Sequence, residues 1–167
     1  MNRIPECVID TTVLQKANAP LAHQPNPQAL IRSRLDLLHR IRSGQLRPLI
    51  SSRLLAEYRR QVPKPRNDTV KAFLELLDDP ERSRLNWHTP WSGKYREWVA
   101  KCRYPQEDVH VLRTAYTPEN PTTVFGEEER MLKTDACIYR HFRVHLLDPS
   151  AVFGATPRQG LRTRLDA

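Results

Sequence analysis

The chain has 167 residues, 39% of them hydrophobic and 28% charged, which is enough for one domain that buries its core without metal or disulfide staples. No apolar run approaches the ~20 residues of a membrane span, and Met1–Asp10 lacks the layout of a signal peptide. The net charge is +8, and the stretch 32–66, with ten basic side chains against Asp36 and Glu57, carries an excess of that size by itself, so a polyanion partner is expected. Cys7, Cys102 and Cys137 are odd in number, widely spaced and without a CxxC pair, which argues against a disulfide framework or a zinc ribbon and fits a reducing cytoplasm.

In chain order, Glu6–Ile9 is a short apolar run without alternation and reads as a buried strand in a parallel sheet, leading into Asp10. Residues 18–27 hold three prolines and read as a loop, with Asn26-Pro27 opening a helix. Leu30, Ile31, Leu35, Leu38 and Ile41 recur at helical spacing until Gly44. Leu46–Ile50 is predicted as a strand, and Ser51 or Ser52 as the cap of a helix running to about Val62, where Pro63 and Pro65 stop it. Asn67 opens a further helix with Val70, Phe73, Leu74 and Leu77 on one stripe. A short strand is predicted over 85–89, a helix over 91–103, another from Gln106 to Tyr116 after Pro105, a strand over Thr122–Phe125, a helix over 127–141 and a last strand over 143–147. Residues 154–167 show no periodicity and read as a basic tail beyond a single domain of residues 1–153. Strands alternating with helices predict a three-layer α/β/α sandwich with a mostly parallel sheet and a site at the strands' carboxyl ends.

Four acids map to that edge. Asp10 ends the first strand, Glu57 lies in the helix after the second, Asp108 opens a helix, and Glu127 follows Thr122–Phe125 and Gly126. Carboxylates gathered there need a cation, and hard oxygen ligands suit Mg²⁺ or Mn²⁺. Each acid also has a local explanation as a helix cap or a solvated face. Asp135 competes with Glu127 for the fourth place, with helix capping as its simpler role, while Glu128 and Glu129 are expected to point elsewhere. His141 and His145 are four apart, a zinc spacing on a helix, but in a strand that spacing is roughly 13 Å. His110 could rim the acidic site, with packing as the plainer role. Trp87, Trp91, Tyr95 and Trp98 could stack bases, with core packing favoured.

Cys7-Val8-Ile9-Asp10-Thr11-Thr12-Val13-Leu14 resembles the opening strand of the PIN-domain ribonucleases. The stretches Pro48-Leu49-Ile50-Ser51 and Leu54-Leu55-Ala56-Glu57-Tyr58 are similar to their second strand and Glu-bearing helix. Asp108 with Leu112 and Ala115 resembles their third acidic position, and Thr123-Val124-Phe125-Gly126-Glu127 resembles the strand that carries their fourth. Val144-His145-Leu146-Leu147-Asp148-Pro149 with Val152-Phe153 resembles their closing strand. Within the family the chain looks most like the VapC-type toxins of bacterial toxin–antitoxin pairs.

The resemblance implies a metal-dependent endoribonuclease. Asp10, Asp108 and Glu127 would hold Mg²⁺ or Mn²⁺, and Glu57 would orient the attacking water. Arg53, Arg59, Arg60 and Lys64 would hold RNA. The partners implied are RNA, a small antitoxin protein and a second copy of the chain, with no membrane. Thr12, Tyr104, Gln106 and Glu127 depart from the family's usual residues, which motivates a second reading: a PIN-like module that binds RNA or a protein partner with weakened catalysis.

Overall fold

The computed structural model describes residues 3–19, 27–86 and 91–152. Five strands, β1 (Glu6–Ile9), β2 (Arg47–Ile50), β3 (Arg84–Leu85), β4 (Thr122–Phe125) and β5 (Val144–Leu147), form one sheet in the order β3-β2-β1-β4-β5. Every pairing is parallel, with Cys7 opposite both Pro48 and Thr123, Leu49 opposite Arg84, and Val124 opposite Leu146. All four residues of β1 and all four of β4 are buried. The two central strands are therefore covered on both faces, as their unalternating sequences require. The fold is the expected α/β/α sandwich with a parallel sheet.

The helices are α1 (Thr11–Ala17), α2 (Pro27–Arg42), α3 (Ser52–Gln61), α4 (Asp68–Leu76), α5 (Gly93–Cys102), α6 (Val109–Ala115), α7 (Glu129–Leu132) and α8 (Asp135–Phe142). Ser51 and Asn67 cap α3 and α4 by accepting hydrogen bonds from the amides of Leu54 and Val70. Gly44, at φ +77°, turns the chain out of α2. Three elements differ from the sequence reading. Thr11–Ala17 is a helix where the sequence reading placed no element; its β-branched opening, Thr-Thr-Val, hides the signal. The stretch after Pro105 begins as a 3₁₀ turn, Gln106–Asp108, before α6. The helix expected over 127–141 is two helices, with Lys133 and Thr134 between them. Of the strand expected over 85–89, Leu85 lies in β3, while Trp87–Thr89 lie outside the described residues, as does the tail 154–167.

Cys102 and Cys137, which the sequence left unpaired, are joined in a disulfide between α5 and α8, with their Cα atoms 5.5 Å apart. Thirty-five residues separate them, and closing a loop of that length removes unfolded-state entropy worth roughly 3–4 kcal/mol. Their spacing carried no sign of this, because the packing of α5 on α8 brings them together. Trp91, Tyr95 and Trp98 take the packing role: Trp91 stacks on Phe142 at 5.3 Å, and Tyr95 lies against Trp91, Trp98, Tyr116 and Phe142. Among the described residues no helix is long and apolar enough to cross a membrane.

The end of β1 is held from α3. The Tyr58 hydroxyl, fully buried, donates to the carbonyl of Ile9. Tyr58→Phe should therefore cost about 1–3 kcal/mol by leaving a buried carbonyl short of a donor. Urea unfolding should show a lower midpoint at an unchanged slope.

Candidate active site

Strand order runs outward from β1 through β2 to β3 and then returns to β4 on the other side of β1. The switch point therefore lies between β1 and β4, and in open parallel sheets the crevice beyond the strands' carboxyl ends at that point is where ligands bind. Asp10 leaves β1 there, and its amide donates to the Phe125 carbonyl at 2.9 Å. Gly126 leaves β4 beside it, its amide donating to the Leu147 carbonyl at 3.0 Å. A Cβ at Gly126 would stand 3.0 Å from the Met131 sulfur and 3.7 Å from the Asp10 Cβ, so the absent side chain lets α7 close over the end of β4.

Three of the four expected acids meet. Asp10, only 6% exposed, has its carboxyl raised above the ordinary range mainly by burial, with Glu57 adding to it; the hydroxyl and amide of Thr12 pull the other way. Thr12 thus supplies Asp10 with a polar neighbour. Asp108, in the 3₁₀ turn before α6, is pushed up to about 7, first by burial and then by Asp10 and Glu128. Tyr104 is buried beneath them, donating to the Asp108 carbonyl oxygen at 3.3 Å. Its phenol is raised by burial and by the charges of Asp108, Asp10 and Glu128. No cationic side chain among the described residues forms an ion pair with Asp10 or Asp108.

Glu127 is not with them. Both of its carboxylate oxygens are taken by Arg34 of α2, at 2.8 and 2.6 Å, and Lys16 stands 3.9 Å away. Glu128 occupies the place beside Asp108 instead, with Arg130 donating to it at 2.6 Å and to Glu107 at 2.5 Å. The chain is extended at Glu128 (φ −74°, ψ 121°), and in extended backbone neighbouring side chains face opposite ways. The run Glu127-Glu128-Glu129 hides which one turns inward until the end of β4 is known. Arg34 had a signal: with Ile31, Leu38 and Ile41 it falls on one helical stripe, the buried one.

Glu57 reaches the site from α3 with a partner. Its Oε2 lies 2.6 Å from His110 Nε2, while His110 Nδ1 faces the Glu107 carbonyl at 3.1 Å. Both ring nitrogens meet oxygen atoms, so the imidazole ties Glu57 of α3 to the turn that precedes α6. His110 is 9% exposed and belongs to the site rather than its rim. Asp135 has other partners. It opens α8 and accepts a hydrogen bond from the Leu146 amide at 2.7 Å, with His145 at 3.5 Å. His145 stacks on Tyr139 and His141 on Trp98, so the two histidines do not share a ligand.

The basic stretch is partly used by the fold. Arg34 is buried on Glu127, Arg40 pairs with Asp36, Arg47 donates to the carbonyls of Pro80 and Ser83, and Arg59 pairs with Asp78. Arg53, Arg60 and Lys64 are exposed. Arg53, Glu57 and Arg60 are spaced to share one stripe of α3, whereas Arg59 lies around the helix from them.

Uncompensated carboxylates suit a hard divalent cation, and Asp10 and Asp108, with Glu128 beside Asp108 but paired with Arg130, are the donors that could hold one. They are open rather than closed around a point: among the described residues only Cys102, Cys137 and His141 bring three ligand atoms within 4.8 Å of one another. Comparisons of the chain with protein-family models, curated proteins and solved structures find no match.

Two stability measurements check this arrangement. The folded chain holds the Asp108 proton up to about pH 7, against an ordinary value of 3.8. Stability without divalent ions should therefore fall as pH rises across that interval. Asp108→Asn should flatten the profile and stabilise the chain above pH 7 by about 1 kcal/mol, a figure reduced for the group's half-exposure. An unchanged profile would place the raised group elsewhere. Glu127→Gln, which leaves a buried guanidinium without its anion, should cost about 3 kcal/mol, read by chemical unfolding.

Proposed function

We propose that the chain is a metal-dependent endoribonuclease of the PIN type that hydrolyses RNA phosphodiesters, acting as the toxin of a toxin–antitoxin pair. The observation that carries this reading is the pair Asp10 and Asp108: buried or half-buried at the sheet's switch point, both raised, and with no ion-paired cation among the described residues. Evolution retains such a destabilising arrangement where a site needs it.

Asp10, Asp108 and Glu128 would hold Mg²⁺ or Mn²⁺. The ion's chemistry there is to make water a nucleophile near neutral pH and to offset charge growing on the phosphate. The chain's own residues do the rest. Arg53 and Arg60 stand on the stripe of α3 that carries Glu57 and can take the phosphates on either side of the scissile one. Glu57, fixed by His110 at 2.6 Å, is placed to orient the water. No protein nucleophile is required. The antitoxin and the second copy of the chain belong to the same reading, as does its cytoplasmic setting.

A second reading has an observation of its own. The carboxylates do not close into a compact ligand set, as in a module that binds RNA or a protein partner with weakened catalysis.

The purified chain should cut single-stranded RNA with Mn²⁺ or Mg²⁺ and stop on addition of EDTA. Asp10→Asn and Glu128→Gln should each lower cleavage by at least about tenfold to a hundredfold, the loss seen even for partners behind a metal ligand. Binding should weaken with salt by roughly 0.7 log units per log unit for each phosphate neutralised. Arg53→Gln and Arg60→Gln should each remove about one such increment, and Arg59→Gln should remove less. Cleavage that persists in EDTA would overturn the mechanism; salt-dependent binding without cleavage would favour the second reading.

A further inference from the structure

Away from the acidic edge, α5 and α8 bring together two cysteines and a histidine. Cys137 and His141 stand four apart on α8, a spacing that puts two ligands on one helical face. Cys102 ends α5 opposite them, and the two sulfurs and the imidazole have ligand atoms within 4.8 Å of one another. The His141 ring is held by stacking on Trp98 at 4.9 Å, and Lys94 stands 4.6 Å from the other ring system's centre. Cys102 is 7% exposed, while Cys137 and His141 are half-buried, so the group is rooted in the core and open to water on the α8 side.

We propose that Cys102, Cys137 and His141 form a thiol-gated zinc site: reduced, they hold one Zn²⁺ with a fourth position left to water, and a hydroperoxide converts the two sulfurs to the disulfide and releases the metal. The site is independent of the acidic cluster. Zinc binds thiolate at about 2.3 Å and imidazole at about 2.0 Å, and a tetrahedral arrangement spaces such donors by roughly 3.5–4 Å. Parting the sulfurs to that distance needs side-chain rotation only, since Cα atoms 5.5 Å apart already suit either state. Soft sulfur with imidazole selects zinc over the hard ions that suit carboxylates. Lys101 and Arg140 lie close to His141, so the negative charge of two thiolates meets positive charge.

The redox step balances. One thiolate attacks the O–O bond of hydrogen peroxide, giving a sulfenic acid and, with a proton, water. The second thiolate attacks the sulfenic sulfur, closing the S–S bond and breaking the S–O bond, and the expelled hydroxide takes a second proton from solvent to leave as water. The two sulfurs together lose two electrons, the peroxide gains them, and Zn²⁺ leaves unchanged in oxidation state.

The test uses the full chain, reduced with a phosphine, freed of metal and titrated with Co²⁺. The near-ultraviolet thiolate-to-metal absorption and visible bands of a tetrahedral ion should saturate at one Co²⁺ per chain, apart from any Co²⁺ taken by the carboxylates, which gives no thiolate absorption, and Zn²⁺ should abolish them. Hydrogen peroxide should abolish the bands as the free thiol count falls by two. His141→Gln, at a half-buried position that should not threaten folding, should weaken Co²⁺ binding by at least about tenfold. Cys102→Ser and Cys137→Ser should each lose the thiolate absorption, whereas Cys7→Ala should keep it. A folded, reduced chain that takes Co²⁺ without thiolate absorption would overturn the proposal. So would an affinity of the thiolate-absorbing site untouched by His141→Gln, or its visible bands retained after the disulfide forms.

Discussion

The Asp10 amide donates to the Phe125 carbonyl, and much of the site follows from that hydrogen bond. It continues the parallel pairing of β1 with β4, two strands more than a hundred residues apart in the chain, in which Ile9 stands opposite Phe125. Such a pairing closes a long loop and depends on burial to offset the entropy; the fully buried faces of both strands supply it. Once the register is set, Asp10 and Gly126 leave the sheet side by side. Tyr58 fixes the height of the β1 end from α3, and Met131 fills the space above Gly126 from α7. A slip of one residue in β4 would exchange the directions of Glu127 and Glu128.

The same register decides which acids the chain neutralises. Glu127 is satisfied by Arg34, Glu107 and Glu128 share Arg130, Glu57 has His110, Glu6 has Arg84, and Asp135 has the Leu146 amide. Among the described residues Asp10 and Asp108 receive no cation. Burial raises both carboxyls, Glu57 adds to the rise at Asp10, and the charge of Asp10 adds to the rise at Asp108. Folding could have relieved this with one lysine or by moving either acid to the surface. Of the neutralised acids, Glu57 stands near Asp10 and Glu107 and Glu128 near Asp108, so the charge imbalance is local to the two that are not.

Strands β1, β2, β4 and β5 were legible because a parallel sheet buried on both faces writes short, unbroken apolar runs, and Ser51, Asn67 and Gly44 punctuate the helices by local chemistry. What escaped was set by tertiary contact. Thr11-Thr12-Val13 has the composition of a strand, yet it follows Asp10 into α1, because Val13 and Leu14 find the core by turning. Three consecutive glutamates carry no mark of which one faces Asp108. The Cys102–Cys137 bridge is invisible in spacing because two separate helices bring the residues together. His110 looked incidental in sequence; its role appears only when α6 packs against α3 and meets Glu57.

The basic stretch shows why a charge count is a weak guide to a binding surface. Arg34, Arg40, Arg47 and Arg59 look in sequence like the rest of the run, yet each is held by an acid or by main-chain carbonyls. An arginine clamped on Glu127 at 4% side-chain exposure offers nothing to a ligand, and one paired with Asp78 must first give up that partner. The basic residues left in water on the stretch from 53 to 66 lie on α3 and the turn that follows it. Two of them, Arg53 and Arg60, bracket Glu57 on the helix. A polyanion drawn to that positive stripe would meet the acids only if something reversed their repulsion. The uncompensated charge of Asp10 and Asp108 beside the stripe is where a divalent cation would do so, joining two oppositely charged surfaces into one site.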